Sequence, residues 1–562
     1  MGTIFRTKNI ICLLHRSPLN VCCAATTTSV CCKRCLKTMM DYTPNSTDSK
    51  ALAVALEEVQ KSVIGIPIMI GRNEIVGRDG QYQLHPHNHK RALVKFFYAN
   101  TQQVKYGIET ALGSKEDWQN TKLKERAEIW RKCADIIAEE DRHKLNAAIM
   151  VGQAKTALEA EKDTFQLITL LRKSAEYIMR LADIHLTNYQ PDCIKTTYFQ
   201  RPLNGFVAAI SPFNHNNFSA HLALSPALMG NCVLWKPSNY SLYSDYLIWS
   251  ATKKAGLPPG VLNFIPCNGN LFVDVITKSP YFGGLNFSGR TSSFQDIFNV
   301  AYLRVNNFKS YPRVVAECST KNFHFVHESA DVNVTASATA QAAFEYSGQK
   351  SASCSGIYVP ETLWGPLKEA LLDQLVCIKV GDPCDPTTII SAVISEISYE
   401  RIIKFIKNAS NNSKCQIIYG GDFCKTHGYF IEPTVVVCSD PLDPLMIKDI
   451  CGPILSVYVY KNNELDNIIS LLRKESRYAY TASVFGDSKT TYQLIERLSS
   501  VSNNFYINQG CTGNIMGHPK FSGTRLSGTN DHKSSKFYFM RWACQQLIEE
   551  PIDNESTTDK TQ

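Results

Sequence analysis

Nowhere among the 562 residues does an apolar run approach the roughly 18 residues that a membrane-spanning helix needs, so no membrane association is predicted. Internal repeats and low-complexity tracts are missing too, which excludes solenoid and linker-rich architectures. Acids are absent from residues 1–40, which hold six basic residues, Arg6, Lys8, Arg16, Lys33, Arg34 and Lys37. With those six set aside the formal charge of +8 falls to about +2, so nothing argues for a nucleic-acid partner. The acid-poor, basic, hydroxyl-rich composition of residues 1–40 is that of a mitochondrial transit peptide, cleaved in the neighbourhood of residues 25–45 and excluded from the fold. The competing secretory signal has too short an apolar run at Ile10–Leu14, broken by His15 and Arg16. Outside the leader, paired Cys-x-x-Cys spacing is likewise lacking. Six of the 20 cysteines (Cys12, Cys22, Cys23, Cys31, Cys32 and Cys35) lie in the leader and the rest are scattered singly. They are expected to be reduced, buried thiols rather than a disulfide framework or a metal site, and no metal is predicted.

What is present is a chain long enough, at 44% hydrophobic content, to bury a large core in two or more closely associated domains. Leu123, Ala127, Trp130, Ala134 and Ile137 recur at the four-three spacing that lays one apolar stripe along a helix. From about residue 205, short apolar runs alternate with helix-length segments, at Phe206–Ile210, Val233–Trp235, Val261–Ile265 and Leu285–Phe287. Strands joined by crossover helices require a parallel sheet, so a doubly wound α/β domain is expected. The Gly-Leu-Pro-Pro-Gly turn at Gly256–Gly260 fits a helix stop before a strand start. A second α/β segment runs from about Lys321 to Asn508, with apolar runs at Phe323–Val326, Ile357–Val359 and Ile454–Tyr460. The two halves should pack directly and leave a ligand cleft between them.

Chemistry-bearing residues follow several of these runs. Ser211-Pro212-Phe213-Asn214 ends the first strand and offers a side-chain amide or a simple turn cap. Lys236-Pro237-Ser238 places a cation and a hydroxyl where a ribose or phosphate fits, or a solvated lysine in a turn. Asn286-Phe287-Ser288-Gly289 precedes a helix, where glycine permits close approach of a pyrophosphate. Their order, with Glu317, Phe344–Lys350 and Gly452-Pro453, resembles the aldehyde dehydrogenase superfamily along nearly all of the chain after residue 50. More narrowly, Gly205–Asn214, Ala227–Ser238, Lys321–Val326, Lys379–Pro383, Leu455–Tyr460 and Ser527–Asp531 are similar to the Δ1-pyrroline-5-carboxylate dehydrogenase branch.

The resemblance implies an aldehyde dehydrogenase fold: a Rossmann-like NAD domain over residues 41–315 with a flap near 185–203, a catalytic domain over 316–510, and a C-terminal segment over 511–562 returning to cleft and flap. It implies oxidation of glutamate γ-semialdehyde to glutamate with NAD in the mitochondrial matrix, by a dimer. A cysteine thiolate attacks the aldehyde, an asparagine amide holds the oxyanion, hydride passes to nicotinamide, and a glutamate assists hydrolysis of the thioester. Here Asn214 matches the oxyanion donor and Glu317 the base; Lys236, Ser238 and Gly289 match cofactor contacts, with Arg290 standing for a small hydroxyl residue and Asp449 for a glutamate at two more; and Gly513, Asn514 (for a serine) and Phe521 fall at the substrate site.

The nucleophile departs from the family, because Ser351 stands at the cysteine's position in Lys350-Ser351-Ala352-Ser353-Cys354. A serine hydroxyl needs an adjacent base, and no serine-type triad is visible. Glu317-Cys318-Ser319-Thr320-Lys321 replaces two family glycines, and Asp449-Ile450-Cys451 replaces a Glu-Ile-Phe. The expectation is an impaired member that keeps the scaffold, taking a small aldehyde if active and pairing with itself or with an active relative. The alternatives are a working dehydrogenase that uses Cys354 or a different aldehyde, and an esterase that uses Ser351.

Overall fold

The structure is a computed structural model in which residues 39–182, 194–513, 522–533 and 535–551 are described. Nearly all of the leader, residues 185–193 of the expected flap, Asn514 and Phe521 lie outside the described residues. Among the described residues no helix is long and apolar enough to cross a membrane.

Two seven-stranded sheets carry the molecule. The first has the order Arg313–Glu317, Phe282–Ser288, Phe206–Ile210, Val233–Lys236, Leu262–Phe264, Ile68–Ile70, Asn73–Ile75. Its first five strands are parallel, as the alternation of apolar runs and helix-length segments requires. The antiparallel Ile68–Ile75 hairpin on its edge is not readable in the sequence, because three-residue strands carry no measurable alternation. Gly256 and Gly260 adopt φ of +99° and +88°, so both turn residues use the left-handed region between the helix Leu242–Lys254 and the strand that follows. The helix Leu123–Glu139 buries Ala127, Trp130, Ala134 and Ile137, the face its spacing predicts.

The second sheet has the order Cys415–Tyr419, Thr434–Cys438, Ile454–Tyr460, Cys354–Pro360, Asn322–Val326, Thr481–Phe485, Asn504–Ile507. It is parallel except for its first strand. One core gathers residues 52–318 together with Tyr538, Phe539, Trp542 and Ala543 from the chain's end, and the two cores on the second sheet draw mainly on 323–511. The chain therefore crosses to the second sheet between Glu317 and Asn322 and returns near residue 536. After that return, Ala543–Pro551 pairs antiparallel with Ile194–Pro202, forming a two-stranded ribbon that leaves Tyr198, Phe199, Leu547 and Ile548 exposed.

Seven of the thirteen described cysteines are buried, Cys377 is exposed, and the others are intermediate, so burial is less general than their scatter implied. No disulfide occurs among the described residues.

Candidate active site

In a parallel sheet all strands end on the same edge, so residues that follow different strands converge there. Four adjacent strands of the first sheet deliver Asn214 after Ile210, Lys236 and Ser238 at the end of Val233–Lys236, Gly289 and Arg290 after Ser288, and Glu317 at the end of its own strand. The second sheet brings up the loop that precedes Cys354–Pro360, which contains Ser351.

Asn214 spans the two halves. Its amide Nδ2 donates to the carbonyl of Gln349 at 3.0 Å and, at a long 3.5 Å, to the Ser351 hydroxyl. The turn that holds it is braced by a buried pair, Lys155 Nζ to Asp163 Oδ2 at 2.7 Å, with Lys155 also donating to the Asn214 carbonyl at 2.7 Å. Asp163 accepts the first-turn amides of Asn216 and Asn217 as well, at 3.0 and 3.3 Å. Burial opposes ionisation of Asp163, but Lys155 and these donors hold its carboxyl below the usual range.

The loop before Ser351 is held in an uncommon conformation. Tyr346, Ser347 and Gly348 have φ of 54°, 52° and 66° in succession. For the two side-chain-bearing residues this costs on the order of 1 kcal/mol each, and buried contacts offset it. Tyr346 donates its amide to Glu159 at 2.7 Å and its hydroxyl to the Gln153 carbonyl at 3.0 Å; Ser347 donates to the Ser391 carbonyl at 2.5 Å. Glu345 receives Lys350 at 2.7 Å and Lys162 at 3.2 Å; burial would raise its carboxyl, and the two ammonium groups hold it well below the carboxylate range instead. The Ser351 carbonyl accepts from Thr320 Oγ1 and from Asn322 Nδ2, both at 2.7 Å. Thr320, at one of the two positions where the resemblance expects glycine, is thus a clasp on the loop that carries Ser351. Asn322 Nδ2 also donates to the Ser353 carbonyl at 3.0 Å, a role that no spacing pattern signals.

Glu317 is not free. The ammonium of Lys533, a residue only 1% exposed, lies 3.3 Å from its Oε2. No local pattern signals this pair, because the partners are far apart in the chain and converge only when the C-terminal segment returns. Cys354 lies elsewhere: its thiol is 1% exposed, donates to the Gly356 carbonyl at 3.3 Å and lies beside His324 and Cys511. The side chain brought to Asn214 is that of Ser351.

A dinucleotide meets a suitable donor set at the strand ends. Desolvation brings the Lys236 ammonium down to about 8, and its Nζ donates to the Pro237 carbonyl at 3.0 Å. At Gly289 a Cβ would stand 2.8 Å from the Phe287 ring, so a larger residue there would have to displace that buried ring. The helix Thr291–Leu303 that follows has Arg290 as its uncapped N-terminal residue, and its Thr291 amide reaches Ser319 Oγ only at a long 3.4 Å. Such an end favours phosphate. Partly buried Asp449 is raised by desolvation, against hydrogen bonding from Ser319 and the charges of Arg401, Lys321 and Arg290. Gly513, at φ 70°, donates its amide to the Gly510 carbonyl at 3.3 Å.

Residues 77–546 match the profile of the Aldehyde dehydrogenase family. The chain is 39% identical over 515 residues to the mitochondrial Delta-1-pyrroline-5-carboxylate dehydrogenase of Homo sapiens, covering 91% of each chain. It is 38% identical over 515 residues to the mitochondrial protein of the same name from Mus musculus, again covering 91% of each. Among solved structures it resembles the Delta-pyrroline-5-carboxylate dehydrogenase of Mycobacterium tuberculosis bound with NAD, with a TM-score of 0.86 and 31% identity over 91% of this chain and 95% of that one.

Proposed function

The chain belongs to the aldehyde dehydrogenase family, and from that premise we propose that it is a Δ1-pyrroline-5-carboxylate dehydrogenase scaffold that binds NAD but turns over poorly, because Ser351 holds the nucleophile's position. One observation carries the reading. Among the described residues, the hydrogen-bond partner of the Ser351 hydroxyl is the Asn214 amide, and an amide N–H can only donate. A serine must lose its proton to attack a carbonyl, and a donor cannot take it.

The remaining residues keep family roles. Asn214 Nδ2 supplies a hydrogen bond to an oxyanion formed next to Ser351. Lys236 and Ser238 hold a ribose, Gly289 and the amide end of the helix after Arg290 hold the pyrophosphate, and Asp449 holds the nicotinamide ribose. NAD, when bound, supplies the hydride acceptor for aldehyde oxidation. Glu317 would orient a water, with the Lys533 ammonium 3.3 Å from its Oε2 fixing where the carboxylate points. Gly513, with Asn514 and Phe521, frames the substrate's carboxylate end. The basic leader and the mitochondrial names of the human and mouse relatives support a mitochondrial, and within it a matrix, location. The exposed apolar ribbon supports pairing with a second copy or with an active relative.

The test is calorimetric titration of NAD+ into the protein, followed by addition of pyrroline-5-carboxylate while NADH absorbance is recorded. Heat of binding without NADH formation is expected. Turnover at rates typical of enzymes, roughly 1 to 1000 per second, overturns the reading.

A further inference from the structure

Beneath the nucleophile loop lies a cluster that the mechanism does not use. His324 sits in the strand Asn322–Val326, Cys354 opens the neighbouring strand, and Cys511 follows the strand Asn504–Ile507. All three are buried, and one ligand atom from each lies within 4.8 Å of the others. The Cys511 amide donates to His324 Nε2 at 3.3 Å, which puts the lone pair on Nε2 and the proton on Nδ1, next to Thr339 Oγ1 at 2.8 Å. Thr339 thus orients the ring through Nδ1, and the long hydrogen bond from the Cys511 amide at Nε2 is the contact that a metal ion would replace. Ser483, paired in register with His324 and so on the same sheet face, has a buried hydroxyl with no hydrogen-bond partner among the described residues. The site is thus polar but incompletely satisfied, in a region where unmet polar groups are costly.

We propose that His324, Cys354 and Cys511 form a structural zinc site that ties the nucleophile loop to the loop leading to Gly513. Two thiolates and an imidazole are a borderline-soft donor set suited to this ion. In tetrahedral zinc the sulfur and nitrogen donors stand roughly 3.5–3.8 Å apart, so closure asks for about 1 Å of contraction at most. Binding forms two Zn–S bonds and one Zn–N bond and breaks two S–H bonds, with both protons released to solvent and no change in oxidation state. Two thiolates and a neutral imidazole cancel the charge of a divalent ion, which a buried site favours, whereas monovalent copper would leave a net negative charge there. The Ala352 carbonyl, which accepts from Cys511 Sγ at 3.2 Å, offers an oxygen for the fourth position.

The experiment strips the reduced full-length chain with a chelator and titrates it with Zn2+ or Co2+. About one ion per chain should bind at this site, and the cobalt form should show thiolate charge-transfer absorbance in the near ultraviolet. Cys511→Ser and His324→Gln should each weaken binding at least 100-fold and abolish that absorbance, while Cys415→Ser, in a second, partly buried thiol cluster with Cys438 and Asp443, should leave it unchanged. Thr339→Val, which removes the partner of Nδ1, should weaken binding roughly 10-fold with folding intact, and so tests the site even if the other variants misfold. No stoichiometric binding, or the same absorbance and affinity in Cys511→Ser and Thr339→Val, overturns the proposal; binding of Cu+ in preference to Zn2+ overturns the assignment of the metal.

Discussion

At the scale of single residues, the proposed function turns on the surroundings of Ser351. Its surroundings donate: Asn214 offers N–H to the hydroxyl, and Thr320 and Asn322 offer donors to the carbonyl. Those surroundings suit a thiolate, whose negative charge they stabilise, and do nothing to deprotonate an alcohol. Ser351→Cys should therefore raise NADH formation from pyrroline-5-carboxylate on the order of 10³-fold or more in steady-state assays. Lys533→Met leaves the Glu317 carboxylate without its counter-charge. Chemical denaturation should show a loss of about 3 kcal/mol, near the lower end for a buried pair because Glu317 retains some exposure. The Ser351 substitution was legible in the sequence because the motif around it is contiguous. Lys533 was not, because its significance depends on a contact across more than two hundred residues.

At the scale of elements, the placement of Asn214, the proposed oxyanion donor, comes from a helix-to-helix brace. Asp163, within the helix Ala157–Ala182, caps the first turn of Asn216–Leu228 through the amides of Asn216 and Asn217 and pairs with Lys155. Its carboxyl is lowered in the folded state, so its stabilising contribution is present above the unfolded value near 4 and is lost as pH falls through the lower folded value. Asp163→Asn should cost about 3 kcal/mol at pH 7 and flatten the loss of stability below about pH 4, measured by denaturation across pH. The long parallel strands of both sheets were readable because a strand buried on both faces shows as an unbroken apolar run, as at Ile454–Tyr460. The ribbon of Ile194–Pro202 with Ala543–Pro551 showed no such run, since its exposed faces mix polar and apolar residues.

At the scale of the whole molecule, cofactor and ribbon give two further expectations. NAD+ at 100 times its Kd should stabilise the protein by about 2.7 kcal/mol, seen as a rise in Tm that Lys236→Ala diminishes. Deleting residues 543–562 removes the partner of Ile194–Pro202 and should shift the protein toward monomer in sedimentation, with the two sheets still folded. Sequence alone pointed to the family, to the alternation of strands and helices through four strands of the first sheet, and to a serine where the resemblance places the nucleophile, because those properties reside in local periodicity and contiguous motifs. Only the tertiary structure decided that Ser351 faces a donor, that Glu317 is paired with Lys533, and that three residues from separate strands and loops meet at His324. Those facts depend on where parallel strands end and where the returning chain passes, distances through space that no spacing along the chain encodes.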